Sequence, residues 1–252
     1  MSAFRSCAGS AGWAIRNSRH EHLYELQYAN QVVHNLRVKD IKRFNKTVKA
    51  LKDSRNKYKM TLPRLNLTQG IRVVGIGDAG EGEQLPDVWS KAIGGKVIGI
   101  MSYGPLQEKG PFAVVDVRSG PLKRVTHSSF DAETVNVVET YDWCLAVALV
   151  VEEYLKGIRP SRRGAVEMRA RGEGYQLAAP PTVQVELHTD AMSLIDRTDS
   201  LKLDSGLSKR RKADVADLQE GQRHRELRPL GHLDGKMNPT DGLTKPAAQV
   251  KQ

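Results

Sequence analysis

Apolar positions along this chain follow two different periods, and the change between them falls near residue 70. Over residues 23–34 and 39–53 they recur at helical spacing. In the second stretch Ile41, Phe44, Val48 and Leu51 stand roughly at i, i+3 and i+7, with lysine or arginine at 39, 42, 43, 46, 49 and 52. That pattern predicts a helix with one packing face and one basic face. Pro63 and Gly70 bracket a connector, after which the signals are those of strands. IRVVGI at 71–76, KVIGIM at 96–101 and FAVVDV at 112–117 are short, β-branched and separated by Gly and Pro, which predicts an antiparallel meander.

The pattern turns helical again in HSSFDAETVNVVETYDWCLAVALVVEEYL. Ser128 stands three residues before Asp131, a capping-box-like start, and Val137, Tyr141, Cys144, Ala148 and Val138, Leu145, Leu149 lie on adjoining helical rows. Tyr141 and Trp143 therefore read as core residues rather than as stacking platforms. Residues 157–182 are rich in Gly, Pro and Arg and read as a long loop. VQVELHT at 183–189 is a further strand, 208–221 a polar helix and ELRPL at 226–230 a last strand. Asn238 and Pro239 fit an N-cap and first helical position, which would put Asp241 in the first turn of a short final helix. The order β-β-β-α-β-α-β-α predicts an α/β fold, a mixed five-stranded sheet flanked by helices, with a small helical segment before it.

Composition narrows the class. The apolar run Cys144 to Val151 is well short of the ~20 residues that span a bilayer. The first residues lack a secretory pattern. Cys7 and Cys144 offer no disulfide framework. An intracellular protein, cytoplasmic or nuclear and without a membrane partner, is expected. The net charge of +10 is local: residues 1–70 hold 14 Lys/Arg against 4 Asp/Glu, whereas residues 71–252 balance at 25 each. A basic segment on a neutral body suits phosphate contact through Lys39, Lys42, Arg43, Lys46 and Lys49, and through Arg162 and Arg163 of the loop. A solvated basic helix without a ligand has the same composition.

Four acids stand where elements end or begin: Asp78 after the first strand, Glu133 early in the main helix, Asp190 after the fourth strand and Asp241 at the last helix. Carboxylates that share a pocket repel one another unless cations neutralise them, and hard divalent ions prefer oxygen ligands. Each acid also has a structural reading. Asp78 suits a turn, Glu133 complements a helix N-terminus, and Asp190 and Asp241 suit helix caps.

Their local sequences point further. VVGIGDAG, LKRVTHSSFDAETVNVVE, VELHTDAMSLI and NPTDGLTK resemble, in order, the four acidic motifs of the ribonuclease H domain at the C-terminus of copia-type retrotransposon polyproteins. The resemblance runs from about residue 10 to residue 246. It implies that Asp78, Glu133, Asp190 and Asp241 are ligands of two Mg²⁺ or Mn²⁺ ions, in an endonuclease that cuts the RNA strand of an RNA–DNA hybrid. It also makes His232 the candidate for the mobile histidine that moves protons in such enzymes; an ordinary surface histidine is the alternative.

The resemblance further implies a division into residues 1–65, similar to the helices that follow a polymerase palm, and a nuclease body at 66–252. No Asp-Asp dipeptide occurs, so the paired polymerase aspartates are absent, and the chain reads as a fragment whose partner is the polymerase part of its parent. It departs from the family pattern at Ala191, at Thr240 and in the length of the 157–182 loop. A catalytically silent nucleic-acid-binding or scaffolding remnant is the alternative function. A decayed open reading frame is a third.

Overall fold

The structure, a computed structural model, describes residues 2–57, 61–67, 70–81, 91–103, 110–156, 183–200 and 206–246. Its strands are β1 (Gly70–Gly80), β2 (Ile93–Tyr103), β3 (Phe112–Pro121), β4 (Gln184–Thr189) and β5 (Gly231–His232). They form one sheet in the order β3-β2-β1-β4-β5. β1, β2 and β3 are the antiparallel meander that their spacing predicts, and β4 and β5 run parallel to β1 and to each other in turn. The mixed five-stranded α/β sheet flanked by helices is therefore present.

The helices are α1 (Ser2–Ser18), α2 (Leu23–Val32), α3 (Val38–Asp53), α4 (Ser129–Lys156), α5 (Met192–Asp199), α6 (Lys209–Arg223) and α7 (Asp241–Thr244). α4 crosses one face of the sheet. The first expected row is packed: Val137, Tyr141, Cys144 and Ala148 join Ile71, Val73 and Ile98 of the sheet and Val215 and Leu218 of α6 in one core; of the second row Val138 is buried there and Leu145 packs partly against it. The approach over β1 is close. A Cβ at Gly75 would lie 2.6 Å from Cys144 Sγ and 2.8 Å from both Leu187 and Thr140, so only glycine fits there. Among the described helices α4 is long and apolar enough to cross a membrane by length and composition, and half of that span is buried within the protein.

The opposite face is covered by α1–α3. Ala8, Ile15, Leu23, Leu26, Ala29 and Phe44 share a second core with Val97 of β2 and Leu243 of α7, against which Phe112, Val114 and Val117 of β3 also pack. The first helix has no counterpart among the expected elements, although Phe4, Ala8, Ala11 and Ile15 recur at helical spacing, because most of its residues are small. They let it lie close to α2, where Gly12 meets Leu26.

Three boundaries differ from expectation. β1 runs on through Gly77, Asp78 and Ala79, which read as a turn, because they pair with Lys96, Gly95 and Gly94 of β2. The ELRPL stretch makes only a single bridge, Leu227 to Val185, and β5 follows at Gly231–His232; Pro229 has no N–H to donate to a ladder. The last helix is regular only from Asp241 rather than from Pro239, although the Asn238 side chain accepts from the N–H and hydroxyl of Thr240 as the expected N-cap would.

Candidate metal centre

Asp78 faces the end of the sheet from β1, two strands in from the β3 edge, and it is buried. It lies inside the strand, not past it, opposite Gly95 of β2. Asn136 of α4 fixes this point: its side-chain amide donates to the backbone carbonyls of Asp78 at 2.8 Å and Gly95 at 3.1 Å. The acidic motifs do not point to Asn136 by themselves. Its position three residues after Glu133 is the signal, for an amide beside the apolar rows of a core helix must find buried partners.

Glu133 sits in the second turn of α4. The helix begins as expected, with the Ser128 hydroxyl accepting the Asp131 N–H at 3.1 Å and the Asp131 carboxylate accepting the His127 N–H at 3.2 Å. One Glu133 oxygen accepts the Ala79 N–H at 3.1 Å. The other is buried and has no hydrogen-bond partner among the described residues. Asp190 follows directly on β4, whose strand is parallel to β1, so both acids emerge at the same end of the sheet.

The topology thus brings three of the four acids together. One oxygen each from Asp78, Glu133 and Asp190 lies within 4.8 Å of the others. Burial, then the charge of Asp78, pushes the Glu133 carboxyl up to about 8, against the pull of the Ala79 amide. Burial also holds Asp78 above the ordinary carboxylate range; the charges of Asp190 and Asp241 add to this, while the Thr244 hydroxyl, 2.5 Å from Asp78 Oδ2, and Lys245 oppose it. Such a cluster is incomplete without positive charge. An all-oxygen donor set with one orphaned buried oxygen fits a hard divalent ion.

Asp241 stands apart from the three. It is buried at the first residue of α7, near enough for its charge to be felt at Asp78, but its own carboxylate takes the Lys245 ammonium at 2.6 Å. The structure adds Thr244 and Lys245 to the site, both within the TDGLTK motif already noted. His232 is exposed on β5, paired in register with Thr189 next to Asp190.

Of the basic residues, Lys39, Lys42, Lys46 and Lys49 form one exposed stripe along α3. Arg43 differs: its guanidinium pairs with Glu25 of α2 at 2.6 and 3.0 Å and lies 3.8 Å over the Tyr28 ring, so it is committed to packing α3 on α2. Arg162 and Arg163 lie outside the described residues. Tyr141 is fully buried as expected, whereas Trp143 is 41% exposed, because it sits on the flank of α4 beneath Arg118, whose guanidinium is 3.4 Å from the ring centre.

No family model matches the chain, and no curated protein matches it. Among solved structures it is similar to LC11 ribonuclease H1 in complex with an RNA/DNA hybrid, with 14% identity, 68% of this chain and 92% of that chain covered, and a TM-score of 0.35. A second structure of LC11 ribonuclease H1, isolated from compost by a metagenomic approach, gives 16% identity, 69% and 92% coverage, and a TM-score of 0.36. Likenesses at this level do not define the site; strand order, register and the converging carboxylates do.

Proposed function

We propose that this chain is a metal-dependent endonuclease of ribonuclease H type, derived from a copia-type retrotransposon polyprotein, that hydrolyses the RNA strand of an RNA–DNA hybrid. The observation that carries the reading is the convergence of Asp78, Glu133 and Asp190 from β1, α4 and β4 at one end of the sheet. Three acids distant in sequence form one cluster, one buried and two partly buried, in the order of the motifs they belong to.

Bound Mg²⁺ or Mn²⁺ would offset the charge of these carboxylates, polarise a phosphodiester and lower the pKa of a water. The protein's own part is to hold the oxygens still. Asn136 anchors the backbone at Asp78, Thr244 holds the Asp78 carboxylate and the Ala79 amide orients Glu133, so their oxygens are set before any ion arrives. Glu133 keeps one oxygen free of protein donors among the described residues. His232, exposed on β5, would carry protons to and from solvent.

Hybrid recognition would rest on duplex shape and 2′-hydroxyls rather than on base edges. The Lys39, Lys42, Lys46 and Lys49 stripe supplies sequence-independent phosphate contact. The parent polymerase is the partner that the copia-type origin implies.

The test is incubation of the purified chain with an end-labelled RNA–DNA hybrid in Mg²⁺ or Mn²⁺. The parent should cut the RNA strand, and Asp190→Asn and Asp78→Asn should lose most of that cleavage while remaining folded. Cleavage undiminished in both variants overturns the site. Hybrid binding without cleavage in either ion would leave a silent nucleic-acid-binding remnant.

A further inference from the structure

Two consecutive residues at the end of α7 already serve the acidic cluster from within. Thr244 gives its hydroxyl to Asp78, and Lys245 gives its ammonium to Asp241 at 2.6 Å. The lysine lies four residues after its partner, one helical turn on, and its charge is also felt by Asp78 and Asp190. It is therefore the positive charge that the described protein itself places at this centre. A divalent ion binds carboxylate oxygen at about 2.0–2.1 Å if it is magnesium, so an ion on the same Asp241 oxygen would stand a few ångströms from the ammonium. Repulsion at that distance is strong in a partly buried pocket. The two cations exclude each other at Asp241, while the other three acids have no such rival.

We propose, resting on the reading of this cluster as a divalent-cation site, that Lys245 is a resident counter-ion that keeps Asp241 out of the coordination shell. The resting protein then takes one ion tightly through Asp78, Glu133 and Asp190, and a second only when the Lys245–Asp241 pair opens. The design allows that opening. The Lys245 side chain is 38% exposed, so water can take over its ammonium, while Leu243 is buried in the core with α1–α3 and keeps the helix in place. Lys245 is thus a positioning residue, setting the order and affinity of cation binding through Asp241.

The test is direct counting of bound Mn²⁺ by paramagnetic resonance of the free ion, with thermal unfolding recorded for each variant. The parent should bind one Mn²⁺ tightly and a second at least about fivefold more weakly, and Lys245→Met should tighten the second by at least about fivefold. Lys245→Arg, which keeps the cation, should behave as the parent. Lys245→Met combined with Asp241→Asn should lose the gain. Lys245→Gln repeats the test should the methionine variant unfold. A Lys245→Met or Lys245→Gln protein that is folded and binds Mn²⁺ as the parent does overturns the proposal, and so does a gain that survives Asp241→Asn. Failure of the underlying site reading looks different: the parent would bind no Mn²⁺, or Asp190→Asn would bind it unchanged, before Lys245 is touched.

Discussion

Glu133 places one oxygen on the Ala79 amide and leaves the other buried among acids, and its carboxyl is pushed from 4.5 up to about 8, first by burial and then by Asp78. In the ion-free protein this group therefore keeps a proton, over the window from 4.5 to about 8, that the unfolded chain has released. The native state binds more protons there, so stability falls as pH rises through the window and levels off above it. Calorimetry in chelator should show the melting temperature of the parent declining across that range. Glu133→Gln should flatten the decline and raise the melting temperature near its upper end, by roughly 2–4 °C for each kcal/mol of relieved repulsion. A parent profile that is flat, or that rises with pH, contradicts the placement of Glu133. Proton and cation compete for the same oxygens, so Mn²⁺ affinity should climb over the same window.

Elements place these oxygens, and α4 does most of that placing. It carries Glu133 on its second turn and Asn136 one turn further, and it lies so close to β1 that Gly75 cannot bear a side chain. Asn136 ties the ends of β1 and β2 together through the carbonyls of Asp78 and Gly95, fully buried. Asn136→Ala removes the buried amide that donates to both carbonyls, which should destabilise the fold by about 1–3 kcal/mol in urea titration. It should also weaken the first Mn²⁺ by more than a core substitution of equal destabilisation, such as Val138→Ala, because Asp78 loses its anchor. Equal Mn²⁺ affinity in the two variants would reduce Asn136 to an ordinary packing residue.

At the scale of the whole molecule, the basic helices share a core with the sheet. Val97, Phe112, Val114 and Val117 lie beneath them, so deleting residues 1–57 would uncover apolar surface as well as remove charge. Phosphate binding is therefore better tested by replacing Lys39, Lys42, Lys46 and Lys49 together with glutamine. They are exposed along one stripe, so the melting temperature should hardly move, while the log–log salt slope for hybrid binding should drop by roughly 0.7–0.9 for each phosphate that the lysines neutralise. An unchanged slope would show that this face does not touch nucleic acid. Arg43→Ala should do the reverse, loosening α3 from α2 without changing the slope.

Local pattern determined a large part of this protein. The β-branched runs, the apolar rows of α4 and its Ser128–Asp131 start are short-range features, and each formed where the residues indicated. Glycine-rich GIGDAG misled because its glycines are there for the close approach of other elements, which is not encoded locally. The four acids were legible as motifs, but their separation of up to 163 residues along the chain says nothing about distance in space. Tertiary structure decided that. The parallel pairing of β4 with β1 and the crossing of α4 bring Asp78, Glu133 and Asp190 together. The short α7 gives Asp241 to Lys245 instead. Arg43 and Trp143 make the same point, since a side chain's charge or apolar character fixes what it can bind, and only the packing of neighbouring elements fixes whether it is free to do so.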